Sequence, residues 1–210
     1  MRPVAIEGGC IVVHDKDFYI YGGRTDHVST NALWKFDMGT REYTLLSKDA
    51  YNSPDPAAFG SCFVINNQLY VGFGLTEGLA NFTSLHRYNF VTDLWSVESA
   101  KLISRDRNSA LNVGETIYGI GGSSWNNYAH KDIYSTNVAT RKQVTFQTKL
   151  KWNIYAMASV YYKDKFFIFG GGTGARDSSI HATITTDKFF SIALEGIPCS
   201  AGTYKVNGTC

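Results

Sequence analysis

The sequence has 210 residues, of which 44% are hydrophobic and 18% are charged, and this balance excludes a disordered chain. The formal net charge of +2 is too small to favour nucleic acid or an anionic membrane as the partner, and no apolar run is long enough for a membrane-spanning helix. Together, 13 Tyr, 13 Phe and 20 Gly residues favour strands and tight turns. The composition therefore predicts an all-β fold.

One short pattern, an aromatic or aliphatic run that ends in glycine, occurs four times. The copies begin at Phe18, Leu69, Ile117 and Phe166, at intervals of 51, 48 and 49 residues. The glycines that end these runs are Gly22, Gly23, Gly72, Gly74, Gly121, Gly122, Gly170 and Gly171. A near-constant period of this length predicts repeated units that are each a sheet of about four strands.

Apolar alternation and turn residues place the strands of each unit in chain order. In the first unit, strands are predicted at residues 10–13, 18–23 and 33–38, with a fourth strand from Tyr43. The second and third units repeat this order at 62–65, 69–74, 85–90 and from Trp95, then at 110–113, 117–122, 133–138 and from Gln143. The fourth unit has predicted strands at 158–161, 166–171 and 189–194, and no recognisable fourth strand.

The first strand of each unit begins with a small residue, namely Cys10, Ser61, Ser109 or Ala158. Small side chains suit an innermost strand, where several sheets converge. Cys10 and Cys62 both lie in these apolar strands, and we interpret each of them as a small buried hydrophobic side chain.

The order of an apolar strand, an aromatic strand ending in Gly-Gly, a third strand and Thr-x-x-Trp resembles the kelch repeat. The second unit matches most fully, with Tyr88, Thr92 and Trp95, although Phe73 separates its glycines. The resemblance covers residues 1–195 and implies a β-propeller of four-stranded blades in which the glycines are structural. The four blades are expected at approximately 1–49, 50–99, 100–148 and 149–195. Because kelch propellers usually have more than four blades, a partial propeller is expected.

Residues 196–210 resemble the start of the cysteine-rich modules found in tumour-necrosis-factor-receptor-like and ephrin-receptor-like extracellular proteins. The resemblance implies a disulfide between Cys199 and Cys210, with two free thiols as the alternative. Asn81 and Asn207 begin Asn-x-Thr triplets that accept N-linked glycans. We therefore expect a fragment of a larger secreted or cell-surface glycoprotein, with a cytoplasmic protein as the alternative.

Motifs of catalysis or cofactor binding are largely missing from the sequence. Residues 170–175 match a dinucleotide-binding fingerprint, but the three sibling repeats explain the same glycines. His27, His130 and His181 follow glycine pairs and could converge on a metal, yet none has a second ligand at metal-binding spacing. We therefore expect no catalytic residue, no metal and no cofactor.

The remaining candidate is a recognition surface built from loops. In the kelch family, the loops after the glycine pairs and the linkers between blades share one face. Arginine and aromatic residues there are typical of binding hot spots. The candidates are Arg24, His27, Arg105, Arg107, Trp125, Tyr128, His130, Trp152 and Arg176.

The sequence thus predicts a non-catalytic kelch-repeat domain that binds a protein or a glycan, without nucleic acid and without a membrane span in this chain. Two alternatives stay open. One is a kelch-like oxidase or sugar isomerase or epimerase with a truncated site. The other is an intracellular kelch scaffold or ubiquitin-ligase substrate adaptor.

Overall fold

A computed structural model of the protein describes residues 2–47, 51–76, 82–124, 128–173, 184–185 and 189–193. These residues form antiparallel sheets, and none of them belongs to a helix long and apolar enough to cross a membrane. The chain divides into two compact units, Met1–Asp106 and Arg107–Cys210, and each contains two of the repeats. The all-β fold class is confirmed.

The first repeat forms blade one. Its strands are β1 (Cys10–His14), β2 (Asp17–Tyr21), β3 (Arg24–Thr25), β4 (Val28–Ser29), β5 (Leu33–Asp37) and β6 (Glu42–Ser47). The four longer strands pair in the order β1-β2-β5-β6, and β3 and β4 form a small hairpin between β2 and β5. Burial alternates along β1 and β2, since Tyr19 and Tyr21 lie on the buried face of the sheet, whereas Ile11 and Val13 are exposed on the other face.

The second repeat forms blade two, the other half of the first unit. Its strands are β7 (Ala57–Ala58), β8 (Ser61–Ile65), β9 (Gln68–Gly72), β10 (Leu75–Thr76), β11 (Ser84–Asn89) and β12 (Leu94–Lys101). The main sheet has the order β8-β9-β11-β12, while β7 pairs with β10. At the β8–β9 turn, Asn66 and Asn67 both have positive φ, which a two-residue hairpin needs to follow the twist of its strands.

The third and fourth repeats form blades three and four in the second unit. Blade three contains β13 (Ser109–Val113), β14 (Thr116–Ile120), β15 (Asp132–Asn137) and β16 (Gln143–Lys149), paired in that order. Blade four contains β17 (Ile154–Tyr155), β18 (Ala158–Tyr162), β19 (Lys165–Phe169), β20 (Gly172–Thr173), β21 (Ile184–Thr185) and β22 (Phe189–Ala193). Its main sheet, β18-β19-β22, has three strands among the residues described, so the four-stranded plan holds in blades one to three.

The Thr that recurs in the first three repeats lies in the turn before the outermost strand. Asp37 Oδ1 accepts hydrogen bonds from the backbone N–H groups of Gly39 and Thr40, at 2.8 and 2.9 Å. In blade two, Asn89 Oδ1 accepts from the N–H groups of Val91 and Thr92. Blade three repeats the arrangement between Asn137 and Thr140. A short acceptor side chain three residues before Thr therefore stabilises the turn, as Asp and Asn commonly do.

Each unit has a core between its two blades. In the first unit, Tyr19, Tyr21 and Leu33 of blade one pack against Leu69, Val71, Tyr88 and Trp95 of blade two. Trp95 also donates its Nε1–H to Ser47 Oγ at 2.8 Å, which satisfies a buried indole with a side chain of the preceding blade. In the second unit, the core contains Tyr118, Ile120, Ile133, Phe146, Leu150, Ile154, Met157, Phe166 and Ile168.

The innermost strands of the first unit are joined covalently. Cys10 of β1 and Cys62 of β8 form a disulfide, with Cα atoms 5.7 Å apart, within the usual range for such bonds. The interpretation of both residues as separate buried hydrophobic side chains is therefore wrong. It failed because the repeat sets β1 beside β8, which brings together two cysteines that are 52 residues apart in the chain.

The second unit places serines where the first unit has cysteines. Ser109 begins β13 as Cys10 begins β1, and Ser159 is the second residue of β18 as Cys62 is of β8. The hydroxyl of Ser109 donates a hydrogen bond to the hydroxyl of Ser159. The same pair of positions thus joins neighbouring innermost strands in both units.

Candidate functional site

The linker that enters a blade pairs with the segment that follows the blade's glycine pair. Glu7 bridges Arg24 in blade one, β7 pairs with β10 in blade two, and β17 pairs with β20 in blade four. We call this end of each blade its loop face. The pairing brings together, within each of these blades, the two sets of segments that the sequence assigned to one face.

Hydrogen bonds from the glycine pairs connect each loop face to the next linker. The N–H of Gly23 donates to the carbonyl of Ala57 at 3.0 Å, and the N–H of Gly122 donates to that of Ile154 at 2.9 Å. Gly74 donates in the same way to Arg105 at 2.9 Å. Backbone groups thus hold the linkers in place, so the side chains of this face project from a fixed frame.

Seven of the eight repeat glycines occupy two kinds of position, and Gly72 occupies neither. Gly22, Gly121 and Gly170 have a left-handed backbone conformation. In blade two the corresponding residue is Phe73, with φ of +61°. Gly23, Gly74, Gly122 and Gly171 follow them, with φ between +92° and +99°. Gly72 is the last residue of β9 and is closely approached by Leu102. The glycine pair of blade two is therefore replaced by Phe73 and Gly74.

A groove of about 270 Å³ lies on the loop face of the first unit. We call it the loop groove. It is lined by Arg24, His27, Ser29, Ala58, Phe59, Leu75 and Thr76. The β3–β4 hairpin supplies one wall, and the β7 and β10 segments supply the other. Arg24 is the only arginine or lysine among these lining residues, and none of them is a carboxylate.

Arg24 is held in a defined orientation. Its Nε donates to Glu7 Oε1 at 2.7 Å, and its guanidinium carbon lies 4.8 Å from the centre of the Phe59 ring. The guanidinium is thus ion-paired with Glu7, and among the residues described its terminal nitrogens Nη1 and Nη2 make no hydrogen bond. A guanidinium fixed by one carboxylate and one ring offers its remaining donors in a planar fork that suits a carboxylate or a carbonyl group.

His27 lies at the tip of the β3–β4 hairpin. Asp26 and His27 have φ of +49° and +66°, the values of a type I′ turn, which usually contains Asn or Gly. The side chain of His27 is exposed and borders the loop groove. The structure therefore brings two of the predicted binding residues, Arg24 and His27, to one site.

Two further candidates meet in the second unit. The Ser124 N–H donates to the carbonyl of Tyr128 at 3.1 Å, and His130 Nε2 lies 3.1 Å from Ser124 Oγ. His130 Nδ1 is 3.9 Å from Asp132 Oδ1, and the ring of Tyr128 is exposed. Tyr128 and His130 thus share one short loop in the second unit.

The other predicted binding residues are separate from these two clusters. Arg105 is half-buried, and its Nη1 donates a hydrogen bond to the carbonyl of Ser104. Arg107 has φ of +48°, and its carbonyl accepts a hydrogen bond from the N–H of Ala156. Trp152 is partly exposed, with Lys151 Nζ 4.9 Å from the centre of its ring.

Six residues of the sequence predictions lie outside the described residues, so the predictions for them remain predictions. They are Asn81, Trp125, Arg176, Cys199, Asn207 and Cys210.

Two tyrosines that are hydrogen-bonded to aspartates have raised pKa values. Burial raises the pKa of Tyr88, and its hydrogen bond to Asp93 Oδ1 raises it further. The same causes, burial and a hydrogen bond to Asp164 Oδ1, raise the pKa of Tyr161 to about 12.

Among the residues described, no three His, Cys, Asp or Glu side chains lie close enough to hold a metal ion.

Sequence reasoning missed Glu7, Phe59, Leu75 and Thr76 as parts of the site. Glu7 precedes the first predicted strand, and the other three belong to two-residue strands or to the segments beside them. Such segments are too short for a period-2 pattern. The repeat period could have identified two of them. Phe59 and Leu75 are the repeat equivalents in blade two of Gly8 and Arg24 in blade one.

Comparisons with known proteins agree with this architecture, although no model of a known protein family matches the chain. The chain is 26% identical over 180 residues to putative protein tag-53 of Caenorhabditis elegans, covering 77% of this chain and 13% of that protein. It is 23% identical over 204 residues to human kelch domain-containing protein 10, covering 92% of this chain and 45% of that protein. The chain thus spans less than half the length of these relatives.

Among solved structures, the chain superposes on YjhT with a TM-score of 0.70, at 14% identity, over 80% of this chain and 60% of that one. The fold is that of a kelch-type β-propeller. The sequence prediction of kelch-type blades is confirmed, and the cysteine-rich module stays a prediction.

Proposed function

We propose that this chain is a non-catalytic interaction domain that binds a segment of a partner protein in the loop groove. The observation that carries the proposal is Arg24, fixed by Glu7 and Phe59 at the wall of a groove whose other lining residues are His27, two hydroxyl residues and three apolar residues. A carboxylate or carbonyl of the partner would pair with the free guanidinium nitrogens, and an apolar side chain would contact Phe59 and Leu75. Arginine beside an aromatic ring is a common composition of binding hot spots.

The groove favours a protein over a glycan. Sugar rings bind to the open face of an aromatic side chain, but one face of Phe59 is covered by the guanidinium of Arg24. The Phe59 ring also lies so close to Gly8 that a Cβ there would be 2.6 Å from its Cδ1. The loop groove therefore offers polar donors beside an enclosed ring, a combination that suits a peptide segment.

We further propose that the chain belongs to a larger secreted or cell-surface glycoprotein. Support comes from the Cys10–Cys62 disulfide, since disulfides persist in oxidising compartments and are rare in the cytosol. The test is mass spectrometry of the non-reduced protein from its native source. A linked Cys10–Cys62 peptide pair is expected, and two reduced thiols would favour the intracellular scaffold instead.

The interaction proposal is tested with the purified chain on an array of extracellular protein domains and, in parallel, on a glycan array. The double variant Arg24→Ala/Leu75→Ser should weaken binding to a protein ligand at least tenfold, because it removes the charged and the apolar contact. The matched control is Val91→Ser, an exposed change in the β11–β12 turn, at the opposite end of blade two from its loop face. Ligand binding that the double variant leaves intact, or binding to glycans alone, would contradict the proposal.

A further inference from the structure

The disulfide of the first unit is close in the chain to both groups that orient Arg24. Cys10 follows Glu7 by three residues, and Cys62 follows Phe59 by three residues. Glu7 accepts the Nε–H of Arg24, and the guanidinium of Arg24 lies over the ring of Phe59. We call Glu7, Phe59 and Arg24 the arginine clamp. Each of the two groups that hold Arg24 is thus attached through a short segment to one of the bonded cysteines.

The two sides of the arginine clamp come from different sheets. β1 belongs to the sheet of blade one, and β8 belongs to the sheet of blade two. Before these strands begin, the N–H of Phe59 donates to the carbonyl of Gly8 at 2.7 Å. A hydrogen bond at one end and the Cys10–Cys62 bond at the other therefore hold the two segments together.

The space between these segments is almost filled. A cavity of about 10 Å³ is lined by Gly8 and Cys10 from blade one and by Ala57 and Gly60 from blade two. A cavity of this size holds at most about one water molecule. Since closely packed groups do not absorb a shift into empty space, a strand that moves at the disulfide has to move its neighbours as well.

We propose that the redox state of the Cys10–Cys62 pair controls the affinity of the loop groove for its partner, an inference that rests on the proposed function. The reductant is a dithiol. One of its thiolates attacks a sulfur of the disulfide, and its second thiol then releases both cysteines as thiols. Two electrons and two protons pass to the cysteines, and the reductant leaves as a disulfide.

Reduction acts on the arginine clamp through the spacing of the two strands. Sulfur atoms that are no longer bonded stay roughly 3.5–4 Å apart, as other nonbonded heavy atoms do. The starts of β1 and β8 therefore separate, and Glu7 moves away from Phe59. The guanidinium of Arg24 is then no longer fixed from both sides.

A loosened Arg24 weakens binding because the partner has to order it. Ordering one long side chain on binding lowers affinity by about three- to tenfold. By reciprocity, the partner must oppose reduction of the disulfide by the same factor. A tenfold factor corresponds to about 30 mV for this two-electron couple.

The arginine clamp is tested without a partner by NMR measurement of the exchange of the Arg24 Nε–H with solvent. In the oxidised chain Glu7 accepts this N–H, so its exchange should be slow. Complete reduction with dithiothreitol should speed the exchange by about fivefold or more. The matched control is Arg87, because its Nε also pairs with a glutamate, Glu98, at 3.0 Å, but on the two outer strands of blade two. Exchange at Arg87 should change by less than about twofold.

The double variant Cys10→Ser/Cys62→Ser controls for direct effects of the reductant. Arg24 in this variant should exchange fast both with and without dithiothreitol. Unchanged exchange at Arg24 after complete reduction of the wild type would overturn the proposal. Equal acceleration at Arg24 and Arg87 would also overturn it, because reduction would then loosen the whole unit and not the arginine clamp.

A binding measurement separates this inference from the proposed function. A protein ligand found on the domain array should bind the oxidised chain about three- to tenfold more tightly than the reduced chain. A ligand that needs Arg24 but binds both forms equally would refute the redox control and leave the proposed function intact. An array without any protein ligand would instead refute the proposed function, and the exchange rates of Arg24 and Arg87 would still decide whether the disulfide controls the arginine clamp.

Discussion

Left-handed backbone recurs at fixed positions of the repeat, and not all of these positions hold glycine. The residue two before each innermost strand is Gly8, Phe59, Arg107 or Ala156, with φ between +48° and +66°. In three blades, therefore, a side chain occupies a backbone conformation that costs about 1 kcal/mol or more. The surrounding hydrogen bonds offset this cost, since Phe59 and Ala156 donate their N–H groups to the carbonyls of Gly8 and Arg107.

Gly22 should be far less tolerant of substitution than a glycine that is merely left-handed. A Cβ at Gly22 would be 2.7 Å from the carbonyl oxygen of Ala57, whereas a Cβ at Gly114, with φ of +56°, would meet nothing within 4 Å. We expect Gly22→Ala to lower the free energy of unfolding by about 2–4 kcal/mol and Gly114→Ala by about 1 kcal/mol. Urea denaturation measures both, and equal losses would contradict the packing role of Gly22.

His86 is buried beside Phe82, and its Nδ1 lies 3.1 Å from the carbonyl oxygen of Asn52. Burial lowers the pKa of His86, while the contact with Asn52 and the charge of Asp55 act in the opposite direction. A lowered pKa means that the unfolded chain binds the proton more readily than the folded chain. The stabilising effect of neutral His86 is therefore complete above the unfolded pKa of about 6.5 and is lost as pH falls through the folded value.

The stability of the chain should consequently fall between pH 7.5 and pH 5 through His86. His86→Gln keeps a donor for the Asn52 carbonyl but does not titrate, so this variant should lose less stability over the same interval. The comparison of urea midpoints at the two pH values measures the difference. If the wild type and the variant lose the same amount, His86 is not the group responsible.

At the scale of elements, the Thr-x-x-Trp pattern joins a turn to an inter-blade contact. Asn89 and Thr92 close the β11–β12 turn, and Trp95 then points from β12 toward Ser47 of blade one. The ring of Trp95 also packs against Tyr21 and Tyr88, with centres 5.7 and 5.1 Å away. A motif that looks local in sequence thus attaches one blade to the preceding one.

Removal of the Trp95–Ser47 hydrogen bond should destabilise the first unit. Trp95→Phe leaves the buried hydroxyl of Ser47 without this donor, and we expect a loss of about 1–3 kcal/mol. In a double-mutant cycle with Ser47→Ala, the two losses should be less than additive by about 1 kcal/mol, because either change removes the same bond. Strict additivity in urea denaturation would show that the hydrogen bond contributes nothing.

Most long strands could be predicted from the sequence because they contain runs of aromatic and β-branched residues bounded by turn residues, as in Phe18 to Tyr21 or Phe166 to Phe169. The two-residue strands β3, β4, β7, β10, β17, β20 and β21 could not, since a pair of residues has no period. The turn hydrogen bonds accepted by Asp37, Asn89 and Asn137 were not predicted either. Only the following Thr stood out, although the acceptor is the side chain three residues earlier.

For the candidate site, residue type and position identified Arg24 and His27, because both follow a glycine pair and arginine is typical of binding hot spots. They could not identify which loop residues meet. Tyr128 and His130 meet at Ser124 within one loop. Arg105 and Arg107 instead use their carbonyl groups to accept hydrogen bonds from the N–H groups of Gly74 and Ala156, which belong to other segments of the chain. Because the long-range bonds join main-chain atoms, the residue types do not reveal them.

At the scale of the whole molecule, the disulfide is expected to contribute to stability through the loop that it closes. The Cys10–Cys62 bond closes a loop with a sequence separation of 52, and loops of this size typically gain about 2–4 kcal/mol. We expect the double variant Cys10→Ser/Cys62→Ser to lower the free energy of unfolding of the first unit by this amount, and with it the urea midpoint. Reduction of the wild type should have the same effect and reduction of the variant none. Equal midpoints for the variant and the oxidised wild type would contradict this role.

The serine pair of the second unit provides an independent check of the repeat. Because Ser109 and Ser159 occupy the positions of Cys10 and Cys62 and contact each other, Ser109→Cys/Ser159→Cys should form a second disulfide and raise the stability of the second unit. Thiol counting on the unfolded, non-reduced protein detects the bond. Two additional free thiols would mean that the innermost strands of the two units are not arranged alike.

The covalent link between the first two blades also changes how the chain responds to proteases. A cut anywhere between Cys10 and Cys62 opens the polypeptide but releases no fragment, because both pieces remain attached through the sulfur atoms. The linker between blades one and two lies inside this closed loop. A nicked molecule would therefore keep its first two blades together, and the damage would be visible only after reduction.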